Sequence, residues 1–247
     1  MTELTISVIV TNWKRQKFIP SIAQQLAEQH YPKDQYEVII VDDNSPDLQE
    51  VYKIVRESAH SHPDMHFRLF ETHKNVTLNP VLRYNIGARN SKGDVLLFNE
   101  SDVLMQGEYL QQVNSRHLAN NKLWLGPELI NAYSDGSRVI QTGRGACDLG
   151  SSIRKEHFFA VRGFDERTRG WGGIESDLQR RLRNIGVNYE KDPSLQMLHR
   201  QLELVNIDKK SFFSDVADYM GLTLPDLGTT PNPETWGTLD TLKEILL

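Results

Sequence analysis

Val95-Leu96-Leu97-Phe98-Asn99-Glu100-Ser101-Asp102 is the stretch on which the reading of this chain turns. A short apolar run, long enough for one buried strand, stops in two carboxylates spaced i, i+2. Extended backbone alternates its side chains, so Glu100 and Asp102 share one face where the strand ends. Two acids held together there attract a hard divalent cation and, through it, a diphosphate. Taken alone, the same residues also describe a polar turn that caps a core strand. The surrounding chain weighs between the two.

Working back toward the N-terminus, strand and helix alternate. Ile6 to Thr11 reads as a buried strand, and Phe18, Ile19, Ile22, Ala23 and Leu26 recur at helical spacing. Tyr31-Pro32-Lys33-Asp34 breaks that helix before a second strand, Tyr36 to Val41. This strand also ends in acid, at Asp42-Asp43-Asn44-Ser45. A helix with Val51, Ile54 and Val55, a strand from His66 to Phe70, and a helix from about Pro80 to Arg89 lead back to Val95. Such alternation predicts an α/β fold with a mostly parallel sheet, whose ligands bind beyond the carboxyl ends of the strands. Both acidic clusters fall at such ends. No G-x-G-x-x-G follows the first strand and no G-x-x-x-x-G-K-[ST] occurs, so carboxylates and a metal, not a glycine loop, must serve any nucleotide.

Beyond Asp102, Gly107 to Asn120 looks helical, and Leu123-Trp124-Leu125 and Leu129-Ile130 look like short strands. Tyr133 to Gly150 reads as a mobile loop with a hairpin. Gly163 to Leu178 is the second dense stretch, with glycines for sharp turns and an aromatic ring beside them. A helix is expected from Ile174, with Leu178, Leu182 and Ile185 inward. His199 follows a short strand-like stretch, and a helix near Phe212 precedes a Pro/Thr-rich tail.

The 247 residues suffice for a full core. A net charge of -5 argues against nucleic acid as a partner. The single cysteine, Cys147, excludes an intrachain disulfide and fits a reducing compartment. Met1-Thr2-Glu3-Leu4 lacks the marks of a signal peptide, and no apolar run reaches the ~20 residues that span a bilayer. The chain is therefore read as soluble and cytoplasmic, without a transmembrane segment.

Set in order, these pieces resemble the GT-A glycosyltransferases, family 2 above all, over roughly residues 5 to 200. The opening strand and turn are similar to Ser7 to Arg15, and the family's V-D-D-x-S to Val41-Asp42-Asp43-Asn44-Ser45. Its N-x-G … G-D segment resembles Asn85-Ile86-Gly87 to Gly93-Asp94. The D-x-D signature falls on Glu100-Ser101-Asp102, with Glu first. G-G-F-D-E falls on Arg162 to Glu166, and the galactosyltransferase-type G-W-G-G-E-D-x-D-L on Gly170 to Leu178. In that register Ile174 stands at the usual Glu position and Glu175 at the usual catalytic Asp.

The resemblance implies a GT-A fold and a metal-dependent, inverting transfer from a nucleotide-sugar, expected to be UDP-linked, to a hydroxyl of a saccharide or glycoconjugate. It implies that Asp102 binds Mn2+ or Mg2+, with His199 as the candidate further ligand. Asp42 or Asp43 would contact base or ribose, and Thr11, Arg15, Asn85, Glu100, Ser101, Trp171, Gly172 and Gly173 would complete the donor site. The catalytic candidates are Glu175, the expected base, and Asp177, for which pairing with Arg180 or Arg181 at i+3 and i+4 is the favoured role. One catalytic domain is expected over residues 1–205, the donor half at 1–104 and the acceptor half at 105–205. Residues 206–247 would form a helical extension that packs back or mediates a homodimer. The rivals are a degenerate relative that binds a nucleotide-sugar or glycan without turnover, a retaining transferase, and a sugar-nucleotide pyrophosphorylase. The last expects a glycine-rich loop that Thr11 to Arg15 lacks.

Overall fold

The computed structural model describes residues 3–73, 80–141, 149–167, 174–200 and 230–247. Its frame is one sheet. The strands β1 (Ile6–Asn12), β2 (Tyr36–Asp42), β3 (His66–Glu71) and β4 (Val95–Glu100) lie parallel in the order β3-β2-β1-β4. Past β4 come β8 (Ser152–Arg154), β6 (Leu123–Ala132), β9 (Asn188–Arg200) and β5 (Val103–Met105), with β7 (Arg138–Ile140) paired to β6. The long ladders are parallel, β6 with β9 included, and the short ones are antiparallel.

Alternation along the central strands feeds two cores. Val8, Val10, Val95 and Leu97 face α1 (Ile19–Glu28), α2 (Leu48–Ser61) and α4 (Tyr109–Ala119). Ile9, Leu96 and Phe98 face α3 (Pro80–Asn90), α5 (Lys155–Ala160) and α6 (Ile174–Asn184). Burying each of these side chains fully contributes about 1.5–3 kcal/mol, so strands buried on both faces read as unbroken apolar runs. Gly87 lets α3 press against β1: a Cβ there would lie 2.3 Å from Ile9 Cγ2. Among the described residues, no helix is long and apolar enough to cross a membrane.

Two elements depart from expectation. Leu123–Leu125 and Leu129–Ile130 are not two short strands but one, whose pairing with β9 continues across a register shift at Pro127/Glu128. The stretch before His199 is a strand of 13 residues, disguised by its mostly exposed, polar first half. Tyr133 to Gly150 does contain a hairpin, β6–β7, while 142–148 lie outside the described residues, as does the helix expected near Phe212.

The C-terminal stretch 230–247 packs back on the domain. Its strand β10 (Lys243–Ile245) extends the sheet beside β3, so the frame includes residues set apart as an extension. Asn232 Nδ2 donates to the carbonyls of Arg162 and Phe164, and Trp236 is buried against Phe158 and Phe159 at ring distances of 5.8 and 5.0 Å. Trp236→Ala should therefore cost about 3–5 kcal/mol of stability, read as a lowered urea midpoint. An unchanged midpoint would mean that the segment is not docked in solution.

Candidate active site

The strand order β3-β2-β1-β4 reverses direction at β1, which creates a crevice beyond the carboxyl ends of β1 and β4. Thr11 pairs with Glu100 on one side of β1, and Asn12 with Asp42 on the other. Both acidic clusters thus flank one strand end. Two left-handed residues, Lys14 (φ 58°) and Asn44 (φ 54°), shape the loops that leave β1 and β2 there. Asn tolerates that region well and Lys does so less often.

Asp42 organises those loops. It accepts from Asn12 Nδ2 (2.6 Å), Ser45 N (2.8 Å) and Ser45 Oγ (2.8 Å), and Ser45 Oγ in turn accepts from Lys14 N (3.0 Å). Burial raises its pKa above the ordinary carboxylate value, against the opposing pull of those hydrogen bonds. Asp43 is also buried and lies 3.5 Å from Arg83 of α3. Glu71, paired with Asp42 across β2 and β3, accepts from Tyr52 and lies 2.6 Å from His73 Nδ1. No motif in the sequence announced Arg83, Tyr52 or His73 in this setting.

Past β4, Ser101 is buried and its N–H reaches Thr11 O (3.1 Å), while Glu100 is half-buried. Asp102 is 1% exposed. The short β5 then pairs Val103 with His199, and Arg200 N donates to Asp102 O (3.0 Å). That ladder brings two residues distant in sequence together, with His199 Nε2 3.5 Å from Asp102 Oδ2. Arg15 forms an ion pair with the same oxygen. Asp102 Oδ1 is buried and has no hydrogen-bond partner among the described residues. Burial holds the His199 pKa below its ordinary value, with Glu100 pulling the other way. Asn131 Oδ1 stands 3.2 Å from the second ring nitrogen, Nδ1, a contact that no sequence signal indicated.

The remaining candidates lie toward α6. Glu175 is half-buried in its first turn. Asp177 binds Arg181 Nε (2.8 Å) and Arg180 Nη2 (3.2 Å), and Arg181 Nη1 donates to the carbonyls of Val161 and Gly163. The i+3 and i+4 pairs occupy this acid as a brace between α6 and the Arg162–Glu166 loop. Asp177→Asn should cost about 3–5 kcal/mol, because it removes the buried carboxylate charge that accepts from fully buried Arg181 Nε. A thermal melt at the wild-type temperature would contradict this.

Asn85 is fully buried and its side chain bonds within the protein. Its amide donates to Phe164 O and Glu166 Oε1 and accepts from Phe164 N, each at 2.9 Å. It pins the loop to α3 where Gly163 adopts φ 70°. Trp171, Gly172 and Gly173 lie outside the described residues.

Comparison with known proteins gives this arrangement a family. The family description "Glycosyl transferase family 2" matches residues 7–168, and "N-terminal domain of galactosyltransferase" matches residues 145–203. The chain belongs to glycosyl transferase family 2. A poly(ribitol-phosphate) beta-N-acetylglucosaminyltransferase, TarS of Staphylococcus aureus, is 30% identical over 108 residues, 44% of this chain and 18% of its own. An uncharacterized glycosyltransferase of Haemophilus influenzae is 33% identical over 108 residues, 44% of this chain and 33% of its own. The chain covers between 18% and 48% of the curated relatives it matches.

Solved structures share the fold, GT-A. The mannosyltransferase PcManGT from Pyrobaculum calidifontis, in complex with GDP-Man and Mn2+, aligns with a TM-score of 0.63 at 18% identity, over 81% of this chain and 57% of its own. GalNAc-T7 with UDP, GalNAc and Mn2+ aligns with a TM-score of 0.71 at 13% identity, over 91% and 49%.

Proposed function

We propose that this family 2 chain is a metal-dependent, inverting glycosyltransferase that moves a sugar from a nucleotide-sugar, UDP-linked, to a hydroxyl of a saccharide or glycoconjugate. The observation that carries the reading is the pair Asp102 and His199 at the mouth of the β1/β4 crevice. A buried carboxylate oxygen without a partner is costly unless something positive meets it. An imidazole nitrogen beside it supplies a second donor atom of the kind Mn2+ accepts. The residues therefore fit a divalent cation. Among the described residues no third His, Cys, Asp or Glu joins them, so Asp102 and His199 are the two side chains that would hold the ion. Mn2+ or Mg2+ bound there would offset the charge that gathers on the departing diphosphate. The Mn2+ and nucleotides named with both structural neighbours support the assignment.

The chain's own residues then divide the work. Asp42 holds the β1 and β2 loops in shape, and Asp43 beside it offers a carboxylate to the ribose or base. Thr11, Glu100 and Ser101 wall the crevice, and Arg15 is a cation within reach of a diphosphate bound beside Asp102. Trp171, Gly172 and Gly173 supply an apolar ring and close backbone approach for the donor sugar. Glu175 takes the proton from the acceptor hydroxyl as that oxygen bonds to the anomeric carbon and the bond to the diphosphate breaks. Attack opposite the leaving group inverts the centre. Asn85 and Asp177 act indirectly, through the Arg162–Glu166 loop. The single cysteine, Cys147, supports a reducing compartment, the cytoplasm, as the site of this activity.

Incubation with a panel of nucleotide-sugars, with Mn2+ or EDTA and a range of saccharide acceptors, tests the proposal by nucleotide diphosphate release. Metal-dependent release from one donor is expected. Binding without release across the panel would instead mark a degenerate relative that holds the donor without turnover.

A further inference from the structure

We propose that Asn131 is a positioning residue that fixes the tautomer of His199, aiming the ring's Nε2 lone pair at Asp102. The inference rests on the reading of Asp102 and His199 as a cation site, and it concerns a side chain that no motif singles out.

The geometry begins in the sheet. Asn131 of β6 is directly paired with His199 of β9 in a parallel ladder, so their side chains leave the sheet on one face. Asn131 is 8% exposed, and its Oδ1 stands 3.2 Å from His199 Nδ1. A carbonyl oxygen only accepts, so this contact needs the hydrogen on Nδ1. The amide is steadied from its other end, where Nδ2 donates to Gln141 Oε1 at 3.3 Å. Gln141 is itself tied down, its backbone N–H reaching Leu129 O at 2.8 Å. The order Gln141–Asn131–His199–Asp102 thus runs from the β6–β7 hairpin into the crevice.

The far side of the ring agrees. Nε2 lies 3.5 Å from Asp102 Oδ2, too long for a good N–H···O bond. With the hydrogen on Nδ1, a lone pair and a carboxylate oxygen face one another across that gap. Two acceptors so placed want a cation between or beside them, and Arg15 already supplies one to Asp102. The opposite tautomer would aim an N–H at Asp102 and withdraw the ring from metal binding. Partners that set the tautomer of a ligating histidine in this way typically account for 10–100-fold of metal affinity.

The first test needs no metal and no substrate. Long-range 1H–15N spectra of the metal-free full chain at pH 8, with the His199 signals assigned by His199→Ala, report which nitrogen carries the hydrogen. The expected result is the Nδ1–H form in the wild type, a shift toward Nε2–H in Asn131→Leu, and retention of Nδ1–H in Asn131→Asp, which keeps an acceptor. An Nε2–H form in the wild type, or no change in Asn131→Leu, overturns the proposal. The second test is an electron paramagnetic resonance titration of Mn2+ in the presence of UDP. Asn131→Leu should weaken Mn2+ binding about 10–100-fold while Asn131→Asp stays within a few-fold of wild type. Binding that is lost in His199→Ala but intact in Asn131→Leu overturns the role of Asn131 alone. Failure of the wild type to bind Mn2+, with the tautomer as expected, overturns the cation site itself.

Discussion

Asp102→Asn is expected to reduce sugar transfer about a thousandfold or more while the protein stays folded. The two halves of that result have different causes. Asp102 brings a charged oxygen to the crevice, and an amide oxygen in its place binds a divalent cation far more weakly. Losing the stabilisation of a leaving diphosphate adds several kcal/mol to the barrier, and each 1.36 kcal/mol is about tenfold in rate. The fold is spared because Asp102 is costly as it stands. It is 1% exposed, one of its oxygens has no hydrogen-bond partner among the described residues, and its counter-ion Arg15 is 47% exposed. An amide removes that buried charge and leaves Arg15 free to be solvated. Activity and a thermal melt should therefore separate in this variant. A variant with wild-type activity would remove Asp102 from the mechanism, and an unfolded one would make it a structural acid.

Glu175→Gln carries the second large effect. Glutamine keeps the size of the side chain at the start of α6 and removes its ability to accept a proton. General base catalysis typically contributes 10²–10⁴-fold, so kcat should fall by that range. The affinity for the nucleotide should not move, since its base, ribose and diphosphate are assigned to residues at the ends of β1, β2 and β4. Single-turnover rates alongside UDP binding make the comparison. A change confined to donor affinity, with kcat intact, would relocate Glu175 from the base to the donor site. The contrast with Asp177 is instructive. That acid is two residues further along α6, yet Arg180 and Arg181 already claim it, and its replacement should act on stability.

Much of the first half of the fold was legible because its strands are buried on both faces. Ile6–Asn12, Tyr36–Asp42 and Val95–Glu100 are apolar runs that end in polar turns, and such runs have few other readings. The acids at their ends could be placed from topology alone. In the second half the signal fades for identifiable reasons. Strand β9 begins with exposed polar residues, β5 and β8 are three residues each, and the pairing of β6 with β9 shifts register at Pro127/Glu128. Each defeats periodicity over a short window. The pairing of Val103 with His199 could not be derived from spacing, although it explains why that histidine meets Asp102. Motif order found the histidine, and only the ladder supplies its partner. Asn85 shows the reverse case. Its place in a motif suggested donor contact, while its three hydrogen bonds spend its amide on the Arg162–Glu166 loop.

The central claim is that Asp102 holds a divalent cation through which the donor diphosphate is bound. Calorimetric titration of UDP into the wild type and Asp102→Asn, each with Mn2+ and with EDTA, tests it most directly. The account predicts that Mn2+ tightens UDP binding at least tenfold in the wild type and has no such effect in Asp102→Asn. Equal UDP affinity with and without Mn2+ in the wild type, or equal tightening in both proteins, would contradict it.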